Sequence, residues 1–176
     1  MKNLPIPRLD ENKELHDHIL GYCRLKKGQS WNDPEGKHKI GCRDAANFSD
    51  IERFMDGHKA ALAIHDPPYN LIAFKQANPG DFIRWCGKWI DNTNFALAEN
   101  SSLYVWLGAA QADDFQPLPD FMIMMRSKPF ESRSFITMRN QRGYGTSKNW
   151  MAVRQELLYY IKGKPLFNVE AEYTDI

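Results

Sequence analysis

The run Ala61-Leu62-Ala63-Ile64-His65 ends abruptly at Asp66-Pro67-Pro68, and this junction constrains the fold more than any other stretch of the chain. A short, mostly apolar run bounded by a turn signal reads as a buried strand. Two consecutive prolines fix φ and remove two backbone donors, so the strand stops and hands over to a stiff loop. Open α/β sheets place their sites in such loops, beyond the carboxyl ends of their strands.

The flanking pattern agrees with such a sheet. Pro79-Gly80-Asp81 opens a helix whose Phe82, Trp85, Cys86 and Trp89 recur at spacings of three and four, an aromatic stripe that reads as core rather than a cofactor box. Glu99-Asn100-Ser101 is expected to turn the chain into a second buried strand, Ser102 to Leu107. A helix is expected from Pro119 to Arg126, then strands near Ser134 to Arg139 and Glu156 to Ile161. Upstream, Ser49-Asp50-Ile51-Glu52 fits a capping box for a short helix ending near Gly57. A weak helix near Leu9 to Leu25, a turn at Asn32-Asp33-Pro34-Glu35-Gly36 and a short strand at Lys39 to Cys42 complete the reading. The expected fold class is α/β, with antiparallel strands at the end of the sheet, preceded by a lead-in over residues 1–38.

Composition narrows the function classes. At 176 residues with 43% hydrophobic content, the chain reads as one compact soluble domain rather than a disordered one. Its longest apolar runs, such as Phe121 to Met125 and Leu157 to Ile161, fall far short of the ~20 residues a membrane helix needs. Pro5, Pro7 and the charges at Arg8, Asp10, Glu11 and Lys13 leave no room for a secretory apolar core, so a cytoplasmic location is expected. Cys23, Cys42 and Cys86 lack C-x-x-C spacing and read as free thiols. The histidines show no metal-ligand spacing, so no metal is expected, and His65 reads as structural rather than as a proton shuttle. Charge is uneven: Arg126 to Lys164 holds nine basic residues against two acidic ones. That block suits a nucleic-acid backbone, and a solvated basic surface accounts for it about equally well.

Asp66-Pro67-Pro68-Tyr69-Asn70 carries the chemistry. The prolines leave their carbonyls free to accept, the Asp66 carboxylate accepts only, and Tyr69 offers a planar face. Together they suit a planar group with two N–H donors, such as the exocyclic amine of a nucleobase. That amine is a poor nucleophile because its lone pair is delocalised. Hydrogen bonds from it to Asp66 and to the Pro67 carbonyl favour a pyramidal nitrogen ready to attack a methyl group. A base in a duplex must first be flipped out at a cost of a few kcal/mol, which stacking on Tyr69, worth roughly 1–3 kcal/mol, offsets.

These residues resemble the DNA methyltransferases that modify the amino group of adenine or cytosine with S-adenosylmethionine. The subgroup resembled has its catalytic motif before its cofactor motif. Lys39 to Asp44, the helix ending at Asp56-Gly57, and Ala61 to Asn70 are similar to its opening, in order and spacing. Arg142 to Gly145, and Trp150 through Gln155 to Tyr160, are similar to the segment lining its target-base pocket. The resemblance spans roughly Lys39 to Asp175 and makes residues 39–176 the catalytic half of a Rossmann-like methyltransferase domain. It implies Asp66 and Pro67 as acceptors for the target amine, Pro68 as spacer, Tyr69 as stacking face, and Asp66 with Asn70 beside the cofactor. It implies DNA contacts from Arg139, Arg142, Tyr144, Lys148 and Arg154, and adenine N6 ahead of cytosine N4. The family's F-x-G-x-G cofactor turn has no match in these residues. The sheet is therefore expected to lack its cofactor-half strands, to be completed by a complementary polypeptide, by self-association, or not at all, the chain then being inactive alone. Two other readings remain: a non-catalytic nucleic-acid-binding or assembly module, and an RNA or protein N-methyltransferase.

Overall fold

A computed structural model describes residues 13–20, 22, 25–68, 79–107, 117–146 and 149–167. The chain divides into two compact units, Met1–Asp44 and Ala45–Ile176. The first holds helix α1 (Lys13–Leu20), within the range expected for it, and a hairpin of β1 (Ser30–Asn32) and β2 (Lys39–Gly41). Asp33 organises the hairpin turn. Its carbonyl accepts from Gly36 N at 2.9 Å, its carboxylate accepts from Lys37 N at 3.1 Å, and Gly36 takes the left-handed conformation at φ 71°.

The second unit opens with α2 (Phe48–Met55). Its N-cap is Asn47, whose side chain accepts from Asp50 N, so the capping box expected at Ser49 is not the one used. Asparagine caps as well as serine, and the earlier start lets Phe48 pack edge-on against Phe95 at 4.8 Å. Next come β3 (Ala60–His65), α3 (Pro79–Ala96), β4 (Leu97–Leu107), α4 (Pro117–Met125), β5 (Glu131–Thr146) and β6 (Asn149–Lys162). Helix α4 starts two residues before the expected Pro119. Both prolines fit, because the first turn of a helix has no intrahelical use for its N–H groups.

The strands form one sheet in the order β3-β4-β6-β5, with β3 and β4 parallel and the other pairs antiparallel. The fold is mixed α/β. One face carries Leu103, Val105 and Leu107 of β4 and Leu158 and Tyr160 of β6, packed against Phe82, Cys86, Trp89 and Ile90 of α3 and Phe121 and Met125 of α4. The aromatic stripe of α3 is core, and Trp89 stacks on Phe121 at 5.8 Å. The alternate residues face the other way. There Tyr104 and Tyr159 stack at 4.5 Å, while Leu62 and Ile64 of β3 stand 49% and 64% exposed.

Glu99, Asn100 and Ser101, expected to form a turn, lie inside β4. A register shift between Ala60 and Leu62 absorbs the extra residues, and Asn100 Oδ1 accepts from Lys164 N at 2.8 Å. The chain leaves β6 through Gly163 at φ 62°, where a Cβ would run into the Glu99 carbonyl and the Asn100 side chain. Gly163→Ala is therefore expected to cost more than about 1 kcal/mol, read as a lower midpoint in urea unfolding.

Candidate active site

Strand β3 delivers the loop. His65 pairs with Val105 on β4, and Asp66, Pro67 and Pro68 continue past the carboxyl end of the parallel pair. Pro67 is buried while Asp66 and Pro68 are exposed, so the carboxylate is presented to solvent from an anchored backbone. Tyr69 and Asn70, expected as stacking face and cofactor contact, lie outside the described residues.

Behind Asp66, the His65 ring turns inward onto α3. Its Nε2 lies 2.9 Å from Thr93 Oγ1, and the ring sits 4.9 Å from the Trp89 indole. Thr93 Oγ1 in turn donates to the Trp89 carbonyl at 2.7 Å. Burial lowers the His65 pKa from 6.5 to about 4. Between those values the unfolded chain binds a proton that the folded one refuses. Stability from this group is thus complete above pH 6.5 and lost as pH falls toward 4, amounting to about 3 kcal/mol. Urea unfolding across that range should show a steeper acid loss for the wild type than for His65→Gln.

Strands β5 and β6 build a second feature. Only residues 156–162 of β6 pair with β4, beginning at Leu107↔Glu156. Beyond that point β5 and β6 continue as a two-stranded ribbon, through Arg139↔Arg154 and Tyr144↔Ala152 to Thr146↔Asn149. Because β6 runs against β4, the ribbon extends from the sheet end where β3 releases Asp66. Between Met138 and Gln155 lie four basic residues, Arg139, Arg142, Lys148 and Arg154, and no acidic one. Arg139 is exposed. Arg142, Tyr144 and Arg154 fall on the ribbon by backbone, with side chains outside those described, and Lys148 is outside the described residues altogether. The expected strands covered only the part of each nearest the core.

The described glycines outside β2, α3 and the β5–β6 ribbon are placed at turns rather than at a strand-to-helix junction. Gly57 ends α2, and Gly163 is closed against Glu99 and Asn100. Gly28 and Gly36 belong to the N-terminal unit. No group of three or more candidate metal ligands occurs among the described residues, and no described helix is long and apolar enough to cross a membrane. Sequence reading missed Thr93. Its signal was a helical step of four from Trp89, placing a hydroxyl on the apolar stripe.

A family model described as DNA methylase, for N6 and N4 methyltransferases, matches residues 60–174, from the first residue of β3 onward. The chain belongs to the N6/N4 DNA methylase family. Among solved structures it is similar to M1.HpyAVI, with 16% identity and a TM-score of 0.48 over 74% of this chain and 62% of that one. It is likewise similar to the M1.HpyAVI-SAM complex, with 14% identity and a TM-score of 0.47 over 74% and 61%. This N6/N4 methylase chain thus spans about 62% of the length of the solved structures it matches. A search of the curated proteins finds no match.

Proposed function

We propose that this chain is the catalytic part of a DNA N-methyltransferase acting on an exocyclic base amine, with adenine N6 ahead of cytosine N4. The observation that carries the reading is the exposed Asp66 carboxylate at the carboxyl end of β3, held by the buried Pro67 that follows it. Asp66 and the Pro67 carbonyl accept the two N–H bonds of a flipped-out base, Pro68 keeps the loop stiff, and Tyr69 stacks on the ring. Accepting both protons localises the nitrogen lone pair for attack on an electrophilic carbon. S-Adenosylmethionine supplies the methyl group in this reading, with Asp66 and Asn70 on the side of the base pocket nearest to it.

The basic ribbon supports a DNA substrate. A two-stranded β-ribbon fits a DNA major groove, and Arg139, Arg142, Tyr144, Lys148 and Arg154 supply backbone contacts along it. Since the ribbon and Asp66 share one end of the sheet, a duplex lying along the ribbon would bring its flipped base to the loop.

The cofactor site is proposed to be completed by further strands. Among the described residues β3 has a neighbour on one side only, and its Leu62 and Ile64 stand uncovered. An α/β sheet normally covers both faces. Residues carrying the glycine-rich turn, contributed by a complementary polypeptide, would pair there. Isothermal titration of the 176-residue chain with S-adenosylmethionine tests this. No saturable heat is expected, whereas micromolar binding by these residues alone overturns the incomplete-site reading.

One observation favours a second reading. The basic ribbon by itself also suits a module that binds nucleic acid without transferring a methyl group. That module would keep DNA affinity in Asp66→Ala and transfer no methyl when cofactor-binding strands are supplied.

A further inference from the structure

We propose that His65 is a positioning residue for the Asp66-Pro67 acceptor pair, locked by Thr93 as the neutral tautomer that carries its proton on Nε2. The inference rests on the methyltransferase reading for its purpose, but not for its geometry.

The tautomer follows from counting protons. Thr93 has one hydroxyl hydrogen, and the Trp89 carbonyl 2.7 Å away can only accept it. With that hydrogen committed, Thr93 Oγ1 faces His65 Nε2 at 2.9 Å with lone pairs alone, so Nε2–H donates and Nδ1 is left without a hydrogen. The bond has a mechanical consequence. The backbone of His65 is tied to Val105 of β4, and its ring is tied to α3 through Thr93 and the face of Trp89. The residue immediately before Asp66 is therefore fixed from two directions, by the sheet and by the helix layer beneath it. A carboxylate that must meet a base amine within a few tenths of an ångström needs such support, since displacements near 1 Å can cost about a hundredfold in rate. An apolar ring packed at this position would need no hydrogen bond, whereas an imidazole brings a donor that must be paired. Here the Thr93 hydroxyl of α3 is spent on setting its tautomer and angle. Neutrality keeps the lock in place, because a charged imidazole would need a second acceptor in an apolar layer.

The test is ¹⁵N NMR of the full chain in three forms: wild type, Thr93→Val and Thr93→Ser. In the wild type, His65 Nε2 should resonate in the protonated range and Nδ1 in the unprotonated range. Thr93→Val keeps the shape but removes the acceptor. It should move the proton to Nδ1 or mix the tautomers, and shift the Asp66 amide resonance with it. Thr93→Ser restores the hydroxyl and should return both signals, which a purely steric role of Thr93 would not do. A wild-type His65 found with its proton on Nδ1 overturns the inference. So does an Asp66 amide that stays unmoved while the tautomer changes. Both results are independent of methyl transfer, so loss of the lock and failure of the enzymatic reading are separately visible.

Discussion

Asp66→Ala should lower methyl transfer at least about a hundredfold, the size of effect seen when one preorganised partner of a developing charge is deleted. Asp66 is exposed and ends no helix, so its replacement should leave folding stability within about 0.5 kcal/mol. Activity and stability would then separate, as expected for a residue kept for chemistry. Asp66→Asn should fall between the two, because the amide keeps one acceptor oxygen but loses the charge and adds donors facing the amine's own hydrogens. Single-turnover kinetics with the cofactor-binding strands supplied reads the difference in the chemical step.

The largest stability effect is expected at Phe121. The side chain is fully buried and stacks on Trp89 at 5.8 Å, at the point where α4 meets α3 over the sheet. Phe121→Ala should cost about 3–5 kcal/mol through lost burial and the cavity left behind. Against a typical total of about 5–15 kcal/mol, that is a large share of the fold. Ile123 lies on the same helix but is 59% exposed, and Ile123→Ala should stay within about 0.5 kcal/mol. Urea unfolding of the pair gives the contrast. Because Trp89 also contacts His65, the Phe121 variant should loosen the loop support as well as the core.

What the sequence revealed tracks what the core enforces. The strand ending at His65 and the α3 stripe were legible because burial imposes apolar residues at fixed spacing, and the double proline marks the loop in any context. The α2 cap was misplaced because Asn47 and Ser49 are comparable caps, and the choice was made by the Phe48–Phe95 contact, 47 residues apart in sequence. Glu99-Asn100-Ser101 looked like a turn because it is polar. Its strand geometry is imposed by the register shift against β3 and by the Asn100 bond to Lys164. The outer halves of β5 and β6 pair with each other beyond the end of β4, and their sequence carries no apolar alternation to read. At the candidate site, the acceptor pair was visible as a motif. The Thr93 support was not, since a hydrogen bond between residues 28 apart leaves no local pattern.

The central claim is that Asp66 and the Pro67 carbonyl prepare an exocyclic base amine for methylation. It is tested most directly by nucleoside mass spectrometry of duplex DNA incubated with the chain, its cofactor-binding strands and S-adenosylmethionine. The account predicts N6-methyladenine from the wild type and none above background from Asp66→Ala. A methyl group on a ring nitrogen or on C5 of cytosine, or N6-methyladenine at equal yield from both proteins, would contradict it.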